Sequence, residues 1–84
     1  MAKPTINGRI EYEIASLVAT GLPLSSAARI AGISPYTVTD WYVQGAKPNP
    51  KPHWARFRES VDHARLEHRR QVQFRLEELR GRLD

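Results

Sequence analysis

From Trp54 to Leu83 apolar side chains recur in steps of three or four: Trp54, Phe57, Val61 and Ala64, then Val72, Leu76, Leu79 and Leu83, with His68 holding the place between. At about 100° per residue these positions fall within roughly 120° of one another, a single seam along one helix. The steps follow a heptad pattern with one stutter near His68, which would locally unwind a left-handed supercoil. Some thirty helical residues at 1.5 Å each reach about 45 to 50 Å. What precedes them is a segment of forty-odd residues, too small to cover such a length. Trp54, Phe57 and Val61 can pack on it, whereas Val72, Leu76, Leu79 and Leu83 need apolar cover from another chain. Leu66 and Phe74 lie off the seam, which predicts an assembly where each helix touches two neighbours. A dimer or a ring satisfies the requirement for shared cover.

The chain has 84 residues, enough for one domain. A chain of this size buries only about 60% of the surface its unfolded form exposes, which argues against a deep enzyme pocket with its own lid. Without cysteine there is neither a disulfide nor a thiolate metal site. No stretch approaches the ~18 apolar residues of a membrane span, and Met1 to Asn7 lack a signal peptide's apolar core, so the chain reads as soluble and cytoplasmic, with no membrane partner. His63 and His68 sit about 140° apart on a helix with no carboxylate pair to complete a metal site. No glycine-rich phosphate loop or nucleophile with a neighbouring base is apparent. The expectation is a protein that is not an enzyme and uses no metal or cofactor.

Charge is unevenly placed. Residues 1 to 44 carry three basic and three acidic side chains, and the whole formal +4 resides in residues 45 to 84. Ten of the thirteen basic residues are arginine, whose planar fork of donors suits phosphate. Between the halves lie Pro48, Pro50 and Pro52, each removing a backbone donor and pushing its predecessor out of helical geometry. The expected organisation is a head over residues 1–45, a Pro/Lys linker over 46–53 and a long amphipathic oligomerisation helix over 54–84.

Three short helices are expected in the head. Ile10, Ile14, Leu17 and Val18 form one stripe of a helix that begins near Asn7 or Gly8 and stops at Gly21. A second helix runs from about Leu24 to Ala31. Gly32 suits a sharp turn, the Ser34 hydroxyl is placed to cap the next helix, and Pro35 fits its first position, so a third helix runs from Pro35 to Gln44 with Gly45 closing it. Ala27, Ala28 and Ala31 are small where two steeply crossed helices must touch, and Ile33, Val38 and Trp41 fill the wedge between them. Ala28, Gly32, Ile33, Val38 and Trp41 thus match the small-residue, turn and core positions of a helix-turn-helix.

With Val38 and Trp41 turned inward, Ser34, Tyr36, Thr37, Thr39 and Asp40 face outward, the set that would meet double-stranded DNA in the major groove. Residues 34 to 44 contain no arginine or lysine, so the bidentate arginine contact to guanine is lacking there. Phosphate contacts must come from Lys3 and Arg9, from Arg29 on the second helix, and from Lys47, Lys51, Arg56 and Arg58, a run free of acidic residues. Affinity per copy is expected to be low and to be raised by joining copies.

Taken in order, Ala27-Ala28, Ala31-Gly32-Ile33-Ser34, Thr37-Val38, Trp41 and Gly45, followed by Trp54, Phe57, Val61 and Ala64 at the opening of a long charged helix, resemble the small terminase subunits of tailed bacteriophages. The resemblance spans residues 10 to about 75. It implies a head that engages viral DNA, a helical part that builds a ring, and presentation of the genome to the large terminase subunit in the host cytoplasm. Carried over by position, it places Ser34, Tyr36, Thr37 and Thr39 on DNA and makes Phe57, Val61, Ala64, Val72, Leu76 and Leu79 ring contacts. Such subunits continue with a second oligomerisation helix and a tail for the large subunit. The chain is therefore expected to be the front portion of such a subunit, a compact form of one, or another small phage or mobile-element DNA binder, excisionase-like or regulatory. A helical protein-interaction adaptor is the rival from a different class.

Overall fold

The computed structural model describes residues 6–83, the last by its backbone alone, so Lys3 and the Leu83 side chain lie outside the described residues. It is all-helical: α1 Gly8–Ala19, α2 Leu24–Ile30, α3 Pro35–Gln44 and α4 Pro52–Leu83. The Asn7 side chain accepts the Ile10 amide at 2.9 Å and starts α1. Gly21, at φ 106°, ends it. Between α2 and α3 the chain reverses through Gly32 at φ 80°. Its amide donates to the Arg29 carbonyl and the Ile33 amide to the Ala28 carbonyl, the paired bonds of a Schellman turn. Pro35 occupies the first turn of α3 as expected, but the Ser34 hydroxyl makes no capping bond. Only the Ser34 carbonyl is used, taking the Val38 amide at 3.2 Å. The side chain stays exposed, and the first amides of α3 remain uncapped.

Each helix packs on two others, α1 on α2 and α4, and α3 on α2 and α4. Their shared core holds Ile14 and Val18 from α1, Ala27 and Ala28 from α2, Ile33 from the turn, Val38 and Trp41 from α3, and Phe57, Val61 and Ala64 from α4. The three α4 residues correct the expectation that they join one copy to another. Phe57 and Val61 are 0% exposed in the single chain, and Phe57 meets Trp41 edge to face at 5.6 Å, so their apolar surface is already covered by the head. Trp54 also packs against this core. Head and tail are consequently one body up to about His68, with residues 45–51 as a return loop. Pro52 opens α4 two residues before the expected Trp54, because proline is tolerated in a first turn.

Beyond His68 the picture changes. Every residue from Arg69 to Arg82 is exposed. As far as Leu76 α4 still borders Val18, Leu22 and Pro23 across an open notch; beyond that it projects by about 10 Å of helix, and the long axis of the molecule reaches 57 Å. Val72, Phe74, Leu76 and Leu79 are all exposed there, as is Leu66 just before it. Among the described residues no helix is long and apolar enough to cross a membrane.

Candidate nucleic-acid interface

At the start of α3 the Schellman turn brings the last turn of α2 beside the first turn of α3. Arg29, Ser34, Pro35, Tyr36 and Thr39 line one open depression of about 440 Å³. Tyr36 is 89% exposed and packs on nothing that would explain an aromatic there. The arginine that α3 lacks is thus supplied by α2, three residues before the turn. Uncapped amides of α3 and the helix dipole add partial positive charge at the same end. Thr37 is half-buried and does not line the depression. Asp40 is exposed further along α3 and accepts weakly from Gln44 at 3.4 Å.

The basic run does not gather here. Lys47 and Lys51 lie in the loop after α3, at the opposite end of a helix about 15 Å long. Lys51 places its ammonium 5.3 Å from the Trp54 ring centre. Arg56 is largely exposed and stands 3.9 Å from Glu11, which also accepts the Ser60 hydroxyl. Arg58, expected to contact phosphate, is engaged within the fold. It donates to the Tyr42 carbonyl at 3.2 Å, stacks 4.2 Å from the Tyr42 ring centre and lies 3.7 Å from Asp62. Those contacts tie α3 to α4 and leave the Arg58 side chain about one-third exposed.

Tyr42 is the hub of that tie, and nothing in the sequence reading singled it out. Its hydroxyl donates to Asp62 at 2.6 Å and accepts from Arg65 at 3.2 Å. The i,i+4 spacing of Arg58 and Asp62 and the i,i+3 spacing of Asp62 and Arg65 were a usable signal for a polar cluster, though not for its partner on α3. The hydrogen bond to Asp62, then burial and the Asp62 charge, raise the Tyr42 pKa above its ordinary 10.0 against the pull of Arg58 and Arg65. The fold thus favours the neutral phenol: its contribution is whole below about pH 10 and is lost as pH rises through the raised pKa. Tyr42→Phe is expected to cost about 1 kcal/mol at pH 7, with the difference from wild type shrinking above pH 10. Urea midpoints at neutral and alkaline pH measure this, and a gap that stays constant with pH would count against the Tyr42–Asp62 bond as its source.

Comparison of the chain with protein-family models, with curated proteins and with solved structures returned no match.

Proposed function

We propose that α2 and α3 with the Gly32 turn form a helix-turn-helix that binds double-stranded DNA, and that the chain is a non-enzymatic DNA-binding component resembling a phage small terminase subunit. In this reading the amino-terminal half of α3 enters the major groove, the head holds DNA weakly, and copies joined through the projecting part of α4 add up to a useful grip. The assembly then presents DNA to a partner, for a phage protein the large terminase subunit.

The observation that carries the proposal is the meeting of Arg29 with Tyr36, Thr39 and the uncapped start of α3 in one open depression. A cation, an unsupported exposed aromatic and free amides suit a phosphate with a base edge beside it. Transcriptional or recombination control by a small phage or mobile-element protein would use the same head chemistry and differ in its partners. The exposure of Leu66 and Phe74 favours the adaptor reading, in which the head is structural. Salt-dependent retention on DNA separates that reading from the rest.

Arg29→Ala with Tyr36→Ala is expected to weaken duplex DNA binding by about 10- to 100-fold, and Arg29→Ala alone to reduce the salt slope by about one. Fluorescence anisotropy with a labelled duplex at several salt concentrations reads both. Lys47→Ala with Lys51→Ala should weaken all duplexes about equally, as non-specific phosphate contacts do. Unaltered affinity and slope in the Arg29 and Tyr36 variants would remove the DNA-binding proposal.

A further inference from the structure

The projecting half of α4 carries two different surfaces. Val72, Leu76 and Leu79 lie within about 60° of one another, and Arg69, Arg75 and Arg80 flank them within roughly 70° of the seam's middle, at about 100° per residue. No carboxylate of α4 from 66 to 82 lies on that side. Near its start the seam deepens into a notch of about 510 Å³, where Val18, Leu22 and Pro23 face Val72 and Leu76. The other side presents Phe74, 69% exposed and the most exposed large apolar residue of α4, together with Leu66. Glu67, Glu77 and Glu78 accompany these two, with Arg70 between them and Arg82, paired with Glu78, at their edge. Among the described residues, none of Arg69, Arg75, Arg80, Glu67 and Glu77 has an ion-pair partner.

Like surfaces repel when paired. In a parallel two-fold pair seated on Val72, Leu76 and Leu79, Arg75 of one copy would face Arg80 of the other, twice over. An antiparallel pair sets the Arg75 flank of one copy against the same flank of the other. Unlike surfaces complement each other in both charge and shape, since one offers an aromatic knob between carboxylates and the other a notch between arginines.

We infer that copies of this chain associate face to back, the Phe74 side of one α4 seating in the notch and arginine-flanked seam of the next. The inference rests on the proposal that α4 joins copies, and it adds which surfaces meet. Such a contact is heterologous: every added copy leaves one surface of each kind open until a ring closes, so a closed two-fold dimer is not the end product.

Phe74→Asp and Leu76→Asp, each changing an exposed side chain, separate the alternatives by sedimentation equilibrium at tens of micromolar. Wild type should exceed its 9.6 kDa chain mass. Each variant alone should sediment as a single chain. Their equimolar mixture should form a pair and nothing larger, because one variant keeps the notch and the other keeps Phe74. Circular dichroism confirms that both are folded. Phe74→Asp assembling by itself, or the mixture staying monomeric while wild type assembles, would overturn the face-to-back arrangement and leave assembly standing. A monomeric wild type would overturn both and with them the joined-copies part of the DNA reading, while the head's own contact with DNA is tested separately by the Arg29 and Tyr36 variants.

Discussion

Phe57→Ala is expected to destabilise the protein by about 3–5 kcal/mol, while Phe74→Ala, on the same helix, changes the stability of the single chain by less than about 0.5 kcal/mol. The two phenylalanines are chemically alike and differ in what covers them. Phe57 is 0% exposed in the core shared by the four helices and forms an edge-to-face pair with Trp41, so truncation leaves a cavity among close-packed side chains. Phe74 is 69% exposed, and truncation there removes contacts only with neighbours on its own helix. A domain of this size has of the order of 4–12 kcal/mol of stability in total, so the first change removes a large share. Urea unfolding at a concentration where the chains are dilute gives both numbers. A cost below about 1 kcal/mol for Phe57→Ala would mean that α4 is not part of the head's core.

That contrast also marks what periodicity conveys and what it omits. Steps of three and four residues state which face of α4 is apolar, and the described part of the seam is one face of one helix as expected. Periodicity carries no information about what lies opposite. The change from intramolecular cover at Phe57, Val61 and Ala64 to open surface at Val72 is set by where the head ends, and that depends on how α1 and α3 dock. Local turn chemistry was more legible: Asn7, Gly21, Gly32 and Pro35 do their work within a few residues, through side-chain size, a left-handed φ or a missing donor. Ser34 shows the limit of such reasoning, since its backbone places it at the cap while its side chain bonds nothing. Pro52 was ambiguous because a first-turn proline and a linker proline look alike in sequence.

The candidate site divides in the same way. Tyr36 and Thr39 were readable as outward-facing once Val38 and Trp41 were assigned inward. Arg29 could be named as basic, but its place beside Tyr36 follows from the angle at Gly32, a three-dimensional fact. Arg58 reads in sequence as a free charge in a basic run, whereas in the fold it meets the Tyr42 carbonyl and ring sixteen residues away as well as Asp62. With Arg58 engaged between α3 and α4, the DNA-binding proposal has few cations to draw on in the head and depends the more on joined copies.

Gly45→Ala should be the second most damaging change, and for a reason unrelated to backbone freedom. Gly45 has φ −67°, an ordinary helical value, so its exchange for alanine would by propensity alone stabilise the end of α3 by up to about 1 kcal/mol. Space decides otherwise. A Cβ there would stand 2.5 Å from the Trp54 carbonyl oxygen and 2.8 Å from the Arg58 Cβ, and neither atom is the movable end of a side chain. Accommodating it requires α3 and α4 to part, which disturbs the Trp41–Phe57 pair and the Arg58–Tyr42 contacts together. The net cost is expected to be about 1–3 kcal/mol, a fall in Tm of roughly 4–8 °C for each kcal/mol. Gly81→Ala supplies the control, because a Cβ at Gly81 meets nothing within 4 Å on the exposed end of α4, and there the propensity gain should appear unopposed. Thermal unfolding of the two variants beside wild type should lower the midpoint for Gly45→Ala and raise it slightly for Gly81→Ala. A Gly45→Ala protein as stable as wild type would show that α3 and α4 do not approach as closely as the Gly45 contact requires.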